Sequence, residues 1–167
     1  FDHEGVDPIA VLRAAWLNLK SARAVSGAST LSMQLVRLVD PEPSPGPRRG
    51  PRPRTLFAKA REALWAMRLE RALGKEQILE QYLNRAYYGN GAFGIEAAAW
   101  RYFARPASLL TTAEGSFLAV LPRAPTAYDP YRHLDAALRR RSHVLGLLVA
   151  RRILTAREQV EAEATPL

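Results

Sequence analysis

Apolar residues recur along most of the chain at the three- and four-residue spacing of one helical face, and no stretch shows the alternation of a half-buried strand. Asp7-Pro8 reads as an N-cap followed by an N1 proline, opening a helix whose stripe is Ile9, Leu12, Trp16 and Leu19. Gly27-Ala28-Ser29-Thr30 starts a second helix, with Leu31, Leu35 and Leu38 on one side and Thr30, Gln34 and Arg37 on another. After Asp40 the period stops. The run PEPSPGPRRGPRPR has almost nothing apolar to bury, so residues 40–54 are expected to form a mobile Pro/Arg-rich loop. Helical pattern resumes at Thr55 and continues to about Leu73, with Phe57, Ala60, Leu64 and Met67 as its stripe and Gly74 as its stop. A further helix is expected from Lys75 to Tyr88, then the glycine-rich turn Gly89 to Gly94, then a helix from Ile95 to Phe103. Thr111-Thr112-Ala113-Glu114 and Thr155-Ala156-Arg157-Glu158 fit capping boxes. Between them fall a Pro/Tyr loop, residues 121–133, and a helix starting near Asp135. The pattern predicts a mainly α class, one domain over residues 1–167, and a short β-hairpin near residues 87–94.

Composition narrows the chemistry. A chain of 167 residues, 48% of them hydrophobic, has material for one sizeable core. Its 24 Lys and Arg against 16 Asp and Glu leave a net charge of +8, which excludes an acidic disordered chain and points to an anionic partner: nucleic acid, a membrane surface or a phosphorylated substrate. Lysine occurs only at 20, 59 and 75. The absence of cysteine excludes disulfides, Cys-zinc sites, thiol catalysis and iron–sulfur clusters. No run is long and apolar enough for a spanning helix, and Phe1-Asp2-His3-Glu4 is not a signal peptide, so any export signal or anchor is expected outside this chain.

Several motifs compete for the site. Gly89 to Gly94 spells G-x-G-x-x-G, but LNRAYY before it is not a buried parallel strand, so a tight turn is the better reading than a dinucleotide site. His3, His133 and His143 share no metal-ligand spacing. Ser29 and Thr30 sit where free helix N–H groups favour an oxyanion, and Gln34 and Arg37 follow on the same face, a combination suited to an anionic ligand lying along the helix. An ordinary Ser/Thr cap with a solvated face is the plainer alternative. Lys59 and Glu62 share a helix face, with Arg61 adjacent and Arg54 just before it. Cations there suit a departing diphosphate; alone, the pair reads as a surface ion pair.

Taken in order, HEGVD, GASTLSMQL, RTLFAKARE, ILEQYLNRAYYGNGAFGIEAAAWRYF and AEGSFLAVLPRAPTAYDP resemble the successive motifs of the peptidoglycan glycosyltransferase domain (glycosyltransferase family 51) of class A penicillin-binding proteins. GASTLSMQ, with Met33 where most members have a glutamine, is most similar to the penicillin-binding protein 1C subgroup. The resemblance implies a lysozyme-like fold and polymerisation of lipid II into glycan strands with release of undecaprenyl diphosphate. It implies that Ser29, Thr30 and Gln34 line the donor cleft, and that Arg37, Arg54 and Lys59 contact the diphosphate, with Arg61 beside them. Glu62 is then the second catalytic carboxylate. His3, Gly5 and Asp7 match the end of the first motif; Tyr82, Leu83, Asn84, Gly89, Gly91 and Gly94 match the turn that shapes the cleft; Glu114 matches a later structural carboxylate.

Two departures carry consequences. The family's general-base glutamate belongs a few residues ahead of Phe1, so this chain by itself is expected to be inactive, and Ala58 stands where the family usually has an arginine. The scheme needs no metal at Cys or His and leaves room for a divalent cation at the diphosphate. The implied setting is the extracytoplasmic, periplasmic face of the bacterial inner membrane, with an upstream anchor and a C-terminal transpeptidase domain in the full-length protein. The partners are lipid II, the nascent glycan strand and the membrane surface, to which Arg48 to Arg54 add attraction. Three alternatives stand beside this reading: a non-catalytic lipid-II-binding fragment, a lysozyme-like muramidase, and a basic nucleic-acid-binding helical domain. The last would show salt-dependent DNA affinity, but no recognition helix supports it and no nucleic acid is expected as a partner.

Overall fold

The computed structural model describes residues 29–39 and 56–167. The helix expected from Asp7, the loop at 40–54, and His3, Gly5, Asp7, Arg54 and the side chain of Phe57 lie outside the described residues. Seven α-helices occur among those described: α1 (Leu31–Val39), α2 (Leu56–Ala72), α3 (Lys75–Leu83), α4 (Ile95–Phe103), α5 (Thr112–Leu118), α6 (Pro130–Ala150) and α7 (Ala156–Ala164). They fall into two compact units, divided between Tyr82 and Leu83.

In the first unit α1 lies against α2. Met33, Val36 and Ala66 form the shared core, with Ala63 and Leu69 packed on it. This corrects both apolar stripes. Leu38 is exposed and the buried face of α1 is Ser32, Met33, Leu35 and Val36. On α2, Ala60 and Leu64 are exposed, whereas Glu62 and Ala66 are buried. The physical reason is that α2 has apolar residues on several sides, so the period alone does not select a face; its buried stripe, Glu62-Ala66 with Ala63 and Leu69, begins with a charged residue that periodicity assigns to water. Gly74 closes α2 as expected, and its N–H donates to the Gln77 side chain, which starts α3. The helix expected to reach Tyr88 stops at Leu83.

The second unit packs α5, α6 and α7 together around Ala113, Leu145 and Ala162, with Leu154 alongside. Phe103 at the end of α4 meets Phe117 of α5 edge to face, ring centroids 6.1 Å apart. Both capping boxes form as the sequence predicts: the Thr111 hydroxyl accepts from the Glu114 amide while the Glu114 carboxylate accepts from the Thr111 amide, and Thr155 and Glu158 do the same. Asp129 caps α6 at Pro130, earlier than Asp135, but His133 has non-helical angles, so the regular part of that helix starts close to the expected point.

The expected hairpin is reduced to one antiparallel bridge, Tyr87 to Phe93. Its strands cannot extend, because Gly89, Asn90, Gly91 and Gly94 all have positive φ and coil the segment into a tight turn. Gly94 shows why glycine is required: a Cβ there would lie 2.8 Å from the Asn84 carbonyl oxygen. At Gly91 a Cβ would meet nothing within 4 Å. Gly94→Ala is therefore expected to cost about 2 kcal/mol or more, against roughly 1 kcal/mol for Gly91→Ala, where only the left-handed backbone is penalised. Thermal unfolding of the two variants side by side checks the ranking.

Candidate substrate site

The site residues of the first unit are set by α1 and α2. Thr30 precedes α1 and is buried; its hydroxyl accepts the Met33 amide at 3.2 Å, and its carbonyl accepts the Gln34 amide. The plain capping role is thus present, and one helix-end N–H is spent on it. Ser29 lies half-buried just before it. Gln34 accepts a long hydrogen bond from the Tyr82 hydroxyl, 3.4 Å. Burial pushes the pKa of that hydroxyl up from its ordinary value, with the Arg37 charge opposing.

Arg37 and Glu62 meet across the two helices, Nη2 to Oε2 at 3.4 Å. Sequence spacing pairs Glu62 with Lys59, but its ion-pair partner is Arg37, and Lys59 is exposed one turn before it on α2. The difference follows from tertiary packing: Glu62 sits on the α1-facing side of α2, and the cation that meets its carboxylate, 11% exposed, comes from α1. Thr30, Gln34, Arg37 and Glu62 all lie in the first unit. Arg61 instead lines a groove of about 610 Å³ with Val36, Val39, Trp65, Arg68, Leu69 and Ala72. The Arg68 guanidinium lies 5.0 Å from the centre of the exposed Trp65 ring. Among the described residues no group of three or more His, Asp or Glu could hold a metal ion.

Sequence reasoning missed a second polar contact between the same helices. The Ser32 hydroxyl donates to Glu70, and Lys75 at the start of α3 pairs with the same carboxylate, whose side chain is only 4% exposed. The signal was present, since Ser32 lies within the GASTLSMQL motif and Glu70 follows Glu62 by two steps of four residues, through Ala66.

In the second unit, Gly89, Gly91 and Gly94 belong to the tight turn, and Asn84, in the turn that follows α3, approaches it through its carbonyl at Gly94. Asn90, which the motif reading passed over, fixes it: its amide donates to the Tyr102 hydroxyl at 3.1 Å and to Asp129 at 3.0 Å, while Tyr102 donates to the Tyr88 carbonyl. The absence of a Cβ at Gly89 leaves room for the Tyr102 hydroxyl, which would otherwise lie 3.2 Å away. Glu114 is engaged in its capping box and pairs with Arg105 at 3.5 Å. That is a structural use.

The transglycosylase family model matches residues 1–149. The chain is 40% identical over 165 residues to penicillin-binding protein 1A of Aquifex aeolicus, an alignment that covers 99% of this chain and 22% of that protein. It is 38% identical over 165 residues to penicillin-binding protein 1C of Escherichia coli, covering 99% of this chain and 20% of that one. The crystal structure of penicillin-binding protein 1A from Haemophilus influenzae superposes with a TM-score of 0.54 at 33% identity, over 57% of this chain and 14% of that chain. The chain belongs to the transglycosylase family, and its mainly α architecture is the lysozyme-like one expected of it. Both 1A and 1C proteins stand among its relatives, and it spans about a fifth of their length.

Two outcomes are expected. Arg37→Met leaves the Glu62 carboxylate facing α1 without its cation, which should lower the unfolding free energy by about 1–2 kcal/mol, discounted because Arg37 is 29% exposed, and Glu62→Gln in that background should recover most of it. Denaturant titration measures both. The Asn90 hydrogen bond, aided by the Tyr131 amide and the Arg132 charge, holds the Asp129 pKa below its ordinary 3.8. A depressed pKa favours the folded state above the unfolded value, so this contribution should be present above about pH 4 and fade as acid protonates the folded form. In Asp129→Ala, stability measured against pH should lack that increment.

Proposed function

We propose that this chain is the glycan-polymerising domain of a peptidoglycan-synthesising enzyme. It joins the disaccharide units of lipid II and releases undecaprenyl diphosphate. The observation that carries this reading is the Arg37–Glu62 pair beside Gln34 and Thr30, in a chain of the transglycosylase family. In the scheme the 4-hydroxyl of the acceptor sugar loses its proton to a general-base glutamate and attacks the anomeric carbon of the donor, with inversion. The bond from that carbon to the diphosphate oxygen breaks, and negative charge grows on the leaving group. Cations aimed at that charge lower the barrier.

Arg37 and Lys59 fill this role on the described residues, with Arg54 as a third cation. Glu62, the second carboxylate, aims the Arg37 guanidinium, which would otherwise be a long side chain of many rotamers. Ser29, Thr30 and Gln34 offer hydroxyls and an amide to the sugar and phosphate oxygens of the donor. A divalent cation taking part would be held chiefly by the diphosphate, because the donor set supplies no cluster of ligands among the described residues.

The same reading sets the domain at the extracytoplasmic face of the bacterial inner membrane, with the nascent glycan strand as product and a transpeptidase domain in the full-length protein. No helix among the described residues is long and apolar enough to cross a membrane. The exposed Leu38, Val39, Leu64 and Trp65, with Arg61 and Arg68 nearby, support contact with a bilayer carrying anionic headgroups.

The assay uses the full-length protein with lipid II, scoring glycan chains by length. Chain growth is expected, with no fragments released from finished cell wall; fragment release without growth would favour a muramidase. Lys59→Ala should lower the rate by about a hundredfold, the usual loss on removing one group that stabilises transition-state charge. An unchanged rate removes Lys59 from the mechanism.

A further inference from the structure

Among the described residues, Glu70 has a carboxylate turned inward that the proposed reaction does not use. Its side chain is 4% exposed on α2, it accepts the Ser32 hydroxyl of α1, and it is paired with Lys75. An ionised carboxylate taken out of water is costly unless its charge and lone pairs are met. Here Lys75 meets the charge and Ser32 fills an acceptor position. Replacing a buried ion pair by packed apolar side chains is often neutral or stabilising, so the question is what the carboxylate does that an apolar contact cannot.

Direction supplies the answer. Beside the Arg37–Glu62 pair, the described apolar contact of α1 with α2 includes Met33, Val36 and Ala66, with Ala63 and Leu69, and the hydrophobic attraction between them carries no direction of its own. A hydrogen bond is selective in both distance and angle. Ser32 is buried on the side of α1 turned toward α2. At 100° per residue, Gln34 lies 160° from it around the helix in one sense, and Arg37 lies 140° from it. Fixing Ser32 therefore fixes where Gln34 points and from which side of α1 the Arg37 side chain reaches back to Glu62.

We propose that Glu70 is a positioning residue for the glycosyl-transfer site, acting through Ser32 to set the rotation of the helix that carries Thr30, Gln34 and Arg37. This rests on the function proposed above. Lys75 is its charge partner, which lets the carboxylate stay inside. Glu62 holds the same helix through Arg37, so α1 is gripped at two points along α2, eight residues apart in sequence.

The test is Ser32→Ala in the full-length protein. It removes the directional contact and leaves every candidate substrate-binding side chain in place. The value of kcat/KM for lipid II should fall about tenfold, the size of one charge-assisted hydrogen bond, at temperatures well below the melting point. Ser32→Thr, which keeps the hydroxyl, should restore it. Adding Glu70→Gln to Ser32→Ala should cause little further loss of kcat/KM, because the effect of Glu70 passes through Ser32. A Ser32→Ala protein with a lowered melting temperature but wild-type kcat/KM has a structural contact only, and overturns the proposal. A crystal structure of Ser32→Ala gives a readout independent of activity: Gln34 and Arg37 should be displaced relative to α2, and finding the Arg37–Glu62 contact unmoved overturns the proposal. Wild-type protein that fails to polymerise lipid II, with that displacement nonetheless observed, defeats the functional reading and leaves the positioning role standing.

Discussion

A carboxylate facing a protein interior must find a cation or a donor there, and in the first unit two carboxylates of α2 impose that demand on α1. Glu62 takes Arg37, and Glu70 takes Ser32 with Lys75 as its charge partner. Beside them lies an apolar cluster of Met33, Val36 and Ala66. Set against apolar packing, ion pairs of this kind give little net stability, even though removing one partner is costly. What they supply is geometry. The helix that bears Thr30, Gln34 and Arg37 is held at a defined rotation, and a cation that would otherwise sample many rotamers is held in one.

The second unit reaches the same end by another route. Its tight turn uses backbone angles that side chains disfavour, and the strain is held by Asn90, whose amide reaches both Tyr102 and Asp129. Asp129 also caps α6, so the longest helix and the turn share one anchor. At Gly94 the backbone leaves no room for a Cβ against the Asn84 carbonyl. In each unit, then, a polar group fixes what hydrophobic packing leaves free to slide.

Much of the chain could be read directly. Capping boxes at Thr111 and Thr155 need only local spacing, because donor and acceptor lie within one helical turn. Helix α4 begins and ends where the pattern places it, between a glycine that cannot extend the turn and a left-handed Ala104. The apolar stripes of α1 and α2 were misplaced for a specific reason. Reading by hydrophobicity sets Glu62 and Glu70 in water, whereas the buried face includes both; once they are admitted, Glu62, Ala66 and Glu70 recur every four residues. The hairpin shrank to a bridge because consecutive positive φ angles consume the residues that strands would need.

The sequence by itself determined the helical class, the cap positions, the glycine turn and, through ordered motifs, the family to which the chain belongs. These features depend on neighbours a few residues apart or on fixed strings of residues, and both are visible without a fold. Only the tertiary structure decided that Glu62 pairs with Arg37 rather than with Lys59, and that Ser32 and Glu70 join the two helices. Those pairs lie 25 and 38 residues apart in the chain. Which side chain meets a buried charge is set by which helix faces close on each other, and no local spacing contains that information.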